Sequence, residues 1–190
     1  VSQLAKEGFL DERGDYLQIV RTDELLQRWV AANQQAVREV PARWIIRKDQ
    51  PQLHTAIVSY ASELDAASPS RAKPRRGRII KPAPRCCIGL FAAADALGFG
   101  FVRGVPPHIY LERLDPDVLR RLGLSAEDAD RRADAYIRVP ANREAVFRAA
   151  VRRDGLPISD VLQVWLDVSA HPARGHEQAG EIRRRALGVL

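Results

Sequence analysis

The chain has 190 residues, 46% hydrophobic and 28% charged, a balance typical of globular domains that excludes wholesale disorder and collagen-like repeats. Thirty lysines and arginines against 24 acidic residues give a net charge of +6, which permits a nucleic-acid partner without requiring one. The two cysteines, Cys86 and Cys87, are adjacent, which excludes a disulfide framework and favours a reducing, cytoplasmic location. No apolar stretch approaches the roughly 18 residues of a membrane-spanning helix, so no membrane partner is expected.

The first 21 residues have the pattern of the end of a winged helix-turn-helix. Residues 1–6 predict the last turns of a helix, and Gly8 is a typical helix stop. Two short strands are predicted on either side of the turn-forming residues 11–15, so a hairpin follows the helix directly. Because the chain contains no methionine, we expect further residues upstream of Val1, including most of the helix-turn-helix.

A linker helix is predicted next, over residues 22–37. Thr22 is a suitable N-cap, and apolar residues recur at helical spacing from Leu25 to Val37. From residue 38 to residue 190, predicted strands alternate with helices. This alternation is typical of a mixed α/β domain, with an α+β arrangement as the alternative.

Predicted elements follow one another throughout the 38–190 domain. They are a strand at 42–47, a helix from Asp49 to Leu64, a helix rich in small residues at 86–97, a strand at 108–111, a helix at 115–122, a strand at 135–139, a helix capped by Ser159 or Asp160 and a closing helix from Ala179. The stretch from Glu144 to Val151 fits a strand or a helix equally, because its periodicity does not decide between them.

The basic residues are concentrated in one segment, 68–85. It carries seven positive charges and no acidic residue: Arg71, Lys73, Arg75, Arg76, Arg78, Lys81 and Arg85. Four prolines interrupt any helix there, so an extended loop is predicted. Two interpretations stay open, a flexible linker and a strip that follows nucleic-acid phosphates without reading base sequence.

No familiar catalytic fingerprint occurs in the sequence. It contains neither the glycine-rich nucleotide-binding loops nor the serine, zinc or paired-cysteine motifs of common enzyme classes. His171 and His176 flank a predicted turn, and the four histidines do not show a metal-ligand spacing together with the cysteines. We therefore expect no catalytic residue, no metal and no cofactor.

Two other functions are kept as alternatives. A magnesium-dependent nuclease of restriction-endonuclease type would use Asp134 and Glu144, which flank a predicted strand, although no lysine stands at the spacing such sites use. A protein-interaction module would need an exposed apolar patch around Trp165. Asp167, in the same apolar stretch, is interpreted as a buried carboxylate that binds backbone donors or an arginine such as Arg174.

Several stretches of the sequence resemble one family. Residues 1–10 (VSQLAKEGFL) and 25–29 (LLQRW) resemble the end of the winged helix and the linker helix of AbiEi-type regulators, the antitoxins of type IV toxin–antitoxin systems. Residues 162–168 (LQVWLDV) and 171–179 (HPARGHEQA) are similar to the C-terminal signature of that family. Residues 87–93 (CIGLFAA) resemble its small-residue helix.

The resemblance implies a bacterial cytosolic protein that binds promoter DNA to repress its own operon. Its C-terminal domain would oppose a nucleotidyltransferase-like toxin without an enzymatic step. Affinity for DNA would come largely from contacts with the phosphate backbone. The residues expected to contact DNA lie on the helix end, at the wing tip and in the basic segment: Ser2, Gln3, Lys6, Arg13, Arg71, Lys73, Arg75, Arg76 and Arg78.

Overall fold

The computed structural model describes most of the chain. The described ranges are 2–13, 16–34, 37–47, 49–67, 85–127, 133–172 and 174–187. Within them, the mixed α/β architecture expected from the alternation of elements is confirmed. No helix in these ranges combines the length and the apolarity that crossing a bilayer requires.

The N-terminal part is a short helix followed by a two-stranded hairpin. Helix α1 covers Ser2–Lys6, and strands β1 (Leu10–Arg13) and β2 (Tyr16–Ile19) pair antiparallel in a sheet of their own. Gly8 ends the helix with φ of 74°, a left-handed conformation that glycine adopts without a Cβ penalty. The predicted order of helix, glycine and hairpin is therefore confirmed.

The remaining elements form the larger α/β part of the molecule. They are α2 (Thr22–Gln34), β3 (Val37–Trp44), α3 (Gln50–Ala67), β4 (Cys86–Gly89), α4 (Leu90–Ala96), β5 (His108–Leu111), α5 (Pro116–Leu122), β6 (Leu124–Ser125), β7 (Ala135–Pro140), α6 (Arg143–Phe147), β8 (Val151–Arg153), β9 (Leu156–Ile158), α7 (Val161–Ser169), α8 (Gly175–Ile182) and a π-helical turn, Arg183–Leu187.

Seven strands form one mixed sheet in the order β6-β3-β7-β5-β4-β9-β8. Strands β5 and β7 are parallel, as are β4 and β9, whereas β3 pairs antiparallel with β7 and β4 pairs antiparallel with β5. Every residue of the central strands β4 and β5 is buried, so both faces of the sheet are covered there. Helix α4 contacts α7, and α3 contacts β4 and β9.

The predicted small-residue helix at 86–97 is wrong in its first third. Cys86–Gly89 is the buried strand β4, and only Leu90–Ala96 is helical. A strand that is buried on both faces has no alternation of apolar and polar residues, so its sequence cannot be distinguished from that of a buried helix. The strand passes into the helix at Leu90, whose φ of 46° lies in the left-handed region.

The other predicted boundaries are met or corrected by a few residues. Asp115 caps α5 by accepting a hydrogen bond from the Asp117 amide, and of the two residues predicted to cap α7 it is Asp160 that does so. The linker helix ends at Gln34, so Val37 belongs to β3 and not to the helix. The undecided stretch at 144–151 is a short helix that is followed by the start of β8.

Candidate functional site

A charged and polar cluster lies inside the fold where a side chain of α7 reaches strands β5 and β7. Asp167 projects from α7 and its side chain has 0% exposure. Tyr110 and Arg138 meet it from β5 and β7, which are parallel neighbours that pair these two residues side by side. Asn33, at the end of α2, and Gln163, one turn before Asp167, complete what is called the polar cluster here.

Only hydrogen-bond donors surround the Asp167 carboxylate in this cluster. The Tyr110 hydroxyl lies 2.9 Å from both carboxylate oxygens, and Arg138 Nη1 lies 3.1 Å from Oδ1. The Asn33 and Gln163 amide nitrogens donate to Oδ1 at 2.9 and 3.0 Å. Arg138 Nη1 also donates to the Tyr110 oxygen at 2.9 Å. A set of donors alone is the environment of an ionised carboxylate.

Burial is the largest influence on the pKa of both acids of the cluster, and it raises both. Burial raises the pKa of Asp167, whereas Arg138 and the amide and hydroxyl donors lower it. Burial, followed by the negative charge of Asp167, raises the pKa of Tyr110 well above its usual range. Tyr110 therefore stays protonated and acts as a donor to Asp167.

A second group of side chains extends the cluster toward solvent. His108 pairs with Tyr136 across β5 and β7, two residues along the strands from the Tyr110–Arg138 pair. The two rings stack with centroids 4.9 Å apart. His108 Nε2 lies 3.8 Å from Glu39 Oε2, and the same oxygen lies 3.2 Å from Arg138 Nε. Burial, with smaller effects of Arg138 and His171, lowers the pKa of His108 to about 3, so the ring is neutral at pH 7.

A cavity of about 430 Å³, the ligand-sized cavity of this site, opens beside these groups. Its polar walls are Glu39, His108, Tyr136, Arg138, Asp167 and His171, and its other walls are Leu90, Val105, Pro106, Ala170 and Pro172. His171 meets His108 edge to face, with centroids 5.9 Å apart. The arrangement can hold a small ligand between an apolar wall and several converging polar groups.

The described part of the chain has no arrangement typical of a metal centre or an activated nucleophile. No group of three or more histidine, cysteine or acidic side chains within the described ranges could hold a metal ion. The Cys87 thiol and the Ser159 hydroxyl lie 3.4 Å apart and are buried. Burial raises the pKa of Cys87 to about 12, so this thiol is not a thiolate at neutral pH.

Both cysteines are expected to resist modification while the protein is folded. Burial raises the pKa of Cys86 well above its usual range, and both side chains have 0% exposure. Incubation with a thiol reagent at pH 8 should label neither cysteine in the native protein and both in denaturant, as counted by mass spectrometry. Rapid labelling of Cys87 under native conditions would contradict the buried position of β4.

The residues predicted to contact DNA fall into three groups. Gln3 and Lys6 lie on α1 with exposed side chains. Ser2 and Arg13 belong to α1 and β1, but their side chains lie outside the described part of the structure. The basic residues expected to follow phosphates also lie outside the described residues: Arg71, Lys73, Arg75, Arg76 and Arg78.

The two acids of the nuclease alternative are not brought together. Asp134 precedes β7 and Glu144 follows it, so the six-residue strand, which spans roughly 20 Å, separates them. Asp134 Oδ2 accepts a hydrogen bond from the Trp44 amide at 3.0 Å, whereas Glu144 is exposed in the first turn of α6. This pair cannot hold one magnesium ion.

Two predictions about α7 have mixed outcomes. Trp165 is 7% exposed, so the apolar patch required by the interaction-module alternative is not centred on it. Asp167 is buried as predicted, but its arginine is Arg138 and not Arg174, which pairs with Glu177 on the surface. Arg138 lies on β7, far from Asp167 in the sequence, so the pairing cannot be inferred from sequence proximity.

Of the polar cluster, only Asp167 is recognisable in the sequence, as an acid within an apolar helix. Tyr110 and Arg138 resemble ordinary strand residues there. The signal that could have found them is their strand context, because an arginine in a buried strand requires an acidic partner.

Comparisons with models of protein families, with curated proteins and with solved structures found no match for this chain.

Proposed function

We propose that this chain is a DNA-binding transcriptional autoregulator and an antitoxin of the AbiEi type, which opposes a nucleotidyltransferase-like toxin without a chemical step of its own. The observation that carries the DNA-binding part is the order of helix α1, Gly8 and the β1–β2 hairpin. In a winged helix this order places the end of the recognition helix in the major groove and the hairpin against the backbone.

The position of the hairpin supports this proposal. It forms a sheet of its own and does not extend the seven-stranded sheet, so its outer surface is free to meet a partner. Phe9 is 5% exposed and joins the helix to the hairpin, and its amide donates to the Leu4 carbonyl at 2.9 Å. Gln3 and Lys6 are exposed on the helix, where a recognition helix would present them.

The charge distribution supports the proposal independently of the hairpin. The segment 68–85 carries seven of the basic residues and no acidic one, and it would supply phosphate contacts. Each phosphate contact releases counterions, so binding that depends on them weakens steeply as the salt concentration rises.

Removing five of these charges is expected to flatten the salt dependence of DNA binding. The variant replaces Arg71, Lys73, Arg75, Arg76 and Arg78 with glutamine. If all five contact phosphates, the slope of log K against log salt should fall in magnitude by about 4.5. Fluorescence anisotropy with the full-length protein and the DNA upstream of its own gene, between 50 and 200 mM salt, measures this slope.

A matched control removes five exposed arginines from elsewhere on the surface. The replaced residues are Arg103, Arg113, Arg120, Arg148 and Arg153. Because both variants lose the same total charge, the control should leave the slope nearly unchanged. An equal effect in the two variants, or an unchanged slope in the first, would mean that the basic segment is a linker that does not contact DNA.

The antitoxin activity is tested separately from DNA binding. Co-expression of this chain with the neighbouring gene should restore growth that the neighbouring gene alone arrests.

A form that lacks the helix and hairpin, residues 1–21, should lose DNA binding in the anisotropy assay. Turnover of any nucleotide by the purified chain alone would contradict an action through binding.

A further inference from the structure

We infer that the cavity beside the polar cluster is a binding site for a small organic cation, a ligand that carries a guanidinium or ammonium group. Such a site is distinct from the helix and hairpin and does not require DNA binding. It lies where α7 ends, between that helix and the strands β3, β5 and β7.

The size and the walls of the cavity suit a small molecule. Its volume of about 430 Å³ lies within the range of known ligand pockets. Leu90, His108 and Asp167 are buried and form its inner wall, whereas Glu39 and Pro172 are exposed and form its mouth. One end of a ligand can therefore be desolvated while the other stays near water.

The charges of the lining favour a cation over an anion. Two carboxylates, Glu39 and Asp167, face a single guanidinium, that of Arg138. His108 adds no positive charge at neutral pH, because it is buried and uncharged. The C-terminal end of α7, at Ala170, adds the partial negative charge of the helix dipole.

Glu39 is the carboxylate that such a ligand can reach from solvent. Asp167 is fully engaged by the polar cluster, whereas the side chain of Glu39 is 41% exposed. Both of its contacts within the described residues, to Arg138 and His108, involve Oε2. The Arg138 Nε contact at 3.2 Å is an ion pair without the geometry of a hydrogen bond.

The backbone behind the cavity is strained, which is common at ligand sites. Leu90 has φ of 46°, a conformation that costs a leucine free energy and persists only where the surroundings enforce it. Gly89, just before it, has extended backbone and lets the Tyr110 ring pack closely, because a Cβ on it would lie 2.8 Å from that ring. Leu90 itself lies in the cavity wall.

The aromatic walls favour a planar cation. Tyr136 is half-buried, lines the cavity and is held by its stack on His108. Aromatic rings attract guanidinium and ammonium groups, and a guanidinium can also donate two parallel hydrogen bonds to one carboxylate. Guanidinium compounds should therefore bind more tightly than simple amines.

Isothermal titration calorimetry of the full chain tests the site with three probes: agmatine, putrescine and citrate. Agmatine should bind, putrescine should bind more weakly, and citrate should give no heat. Replacing Glu39 with glutamine should weaken agmatine binding at least tenfold. Replacing Tyr136 with leucine should weaken it about threefold.

The control is Glu112→Gln, because Glu112 is also a partly exposed carboxylate paired with arginines, Arg85 and Arg143, but lies outside the cavity. This variant should bind agmatine as the wild type does. Thermal unfolding by circular dichroism verifies that each variant folds.

The proposal is overturned if agmatine gives no heat at millimolar concentrations, if the Glu39→Gln variant binds as tightly as the wild type, or if citrate binds better than agmatine. None of these results depends on whether the chain binds DNA.

Discussion

Replacing Asp167 with alanine is expected to lower the free energy of unfolding by about 4 kcal/mol, because it removes a fully buried carboxylate from the largely buried Arg138. Arg138 has a side chain that is only 14% exposed, and Asp167 Oδ1 lies 3.1 Å from its Nη1. The same change leaves the Tyr110 hydroxyl and the Asn33 amide without the acceptor that they now share. Urea denaturation at pH 7 measures the loss.

The matched control is an ion pair of similar length on the surface. Glu63 and Arg121 lie 2.7 Å apart on different helices, and about 60% of each side chain is exposed. Glu63→Ala should therefore cost less than about 1 kcal/mol, because solvent screens the pair. A similar loss in both variants would mean that the buried position of Asp167 is wrong.

Acidification is expected to destabilise the protein through His108. The folded state holds this ring neutral, with a pKa of about 3, whereas the unfolded chain takes up a proton at its ordinary pKa of 6.5. A base whose pKa is lowered by folding contributes stability above pH 6.5 and loses it as the pH falls toward 3. Between pH 6.5 and 4.5 the loss should be about 2 to 3 kcal/mol.

A variant that cannot titrate at this position separates His108 from the other acid-sensitive groups. His108→Gln is expected to be less stable than the wild type at pH 7.5, since glutamine does not stack on Tyr136 as the ring does. That deficit should shrink, and then reverse, as the pH falls to 4.5 in urea denaturation. His176→Gln, at an exposed position, is the control and should follow the wild type. Parallel curves for wild type and His108→Gln would show that His108 is not buried as a neutral ring.

Local chemistry explains why many elements could be predicted from the sequence. Asp115, Pro116 and Gly123 carry the start and stop signals of α5, and the structure uses all three at those positions. The glycine between α1 and the hairpin acts in the same way. Such signals depend on contacts within a few residues, so they can be interpreted without knowing the fold.

The site could not be predicted in the same way, because its parts are distant in the sequence. Arg138 and Asp167 are 29 positions apart, and Asn33 lies 134 positions before Asp167. Their meeting depends on β5 and β7 being neighbours in the sheet and on α7 lying within reach of both. The sequence indicated only that Asp167 needed a partner, and the arginine expected from proximity was the wrong one.

Composition and periodicity alone determined that this chain folds as a mixed α/β protein with a helix and hairpin at its N-terminus. They also located its basic charge in one segment, because charge is a property of the residues themselves. Tertiary structure decided that Cys86–Gly89 is a strand, since burial on both faces removes the alternation by which strands are recognised. It alone brought Glu39, His108 and Arg138 to one cavity, because strand pairing joins residues that the chain keeps far apart.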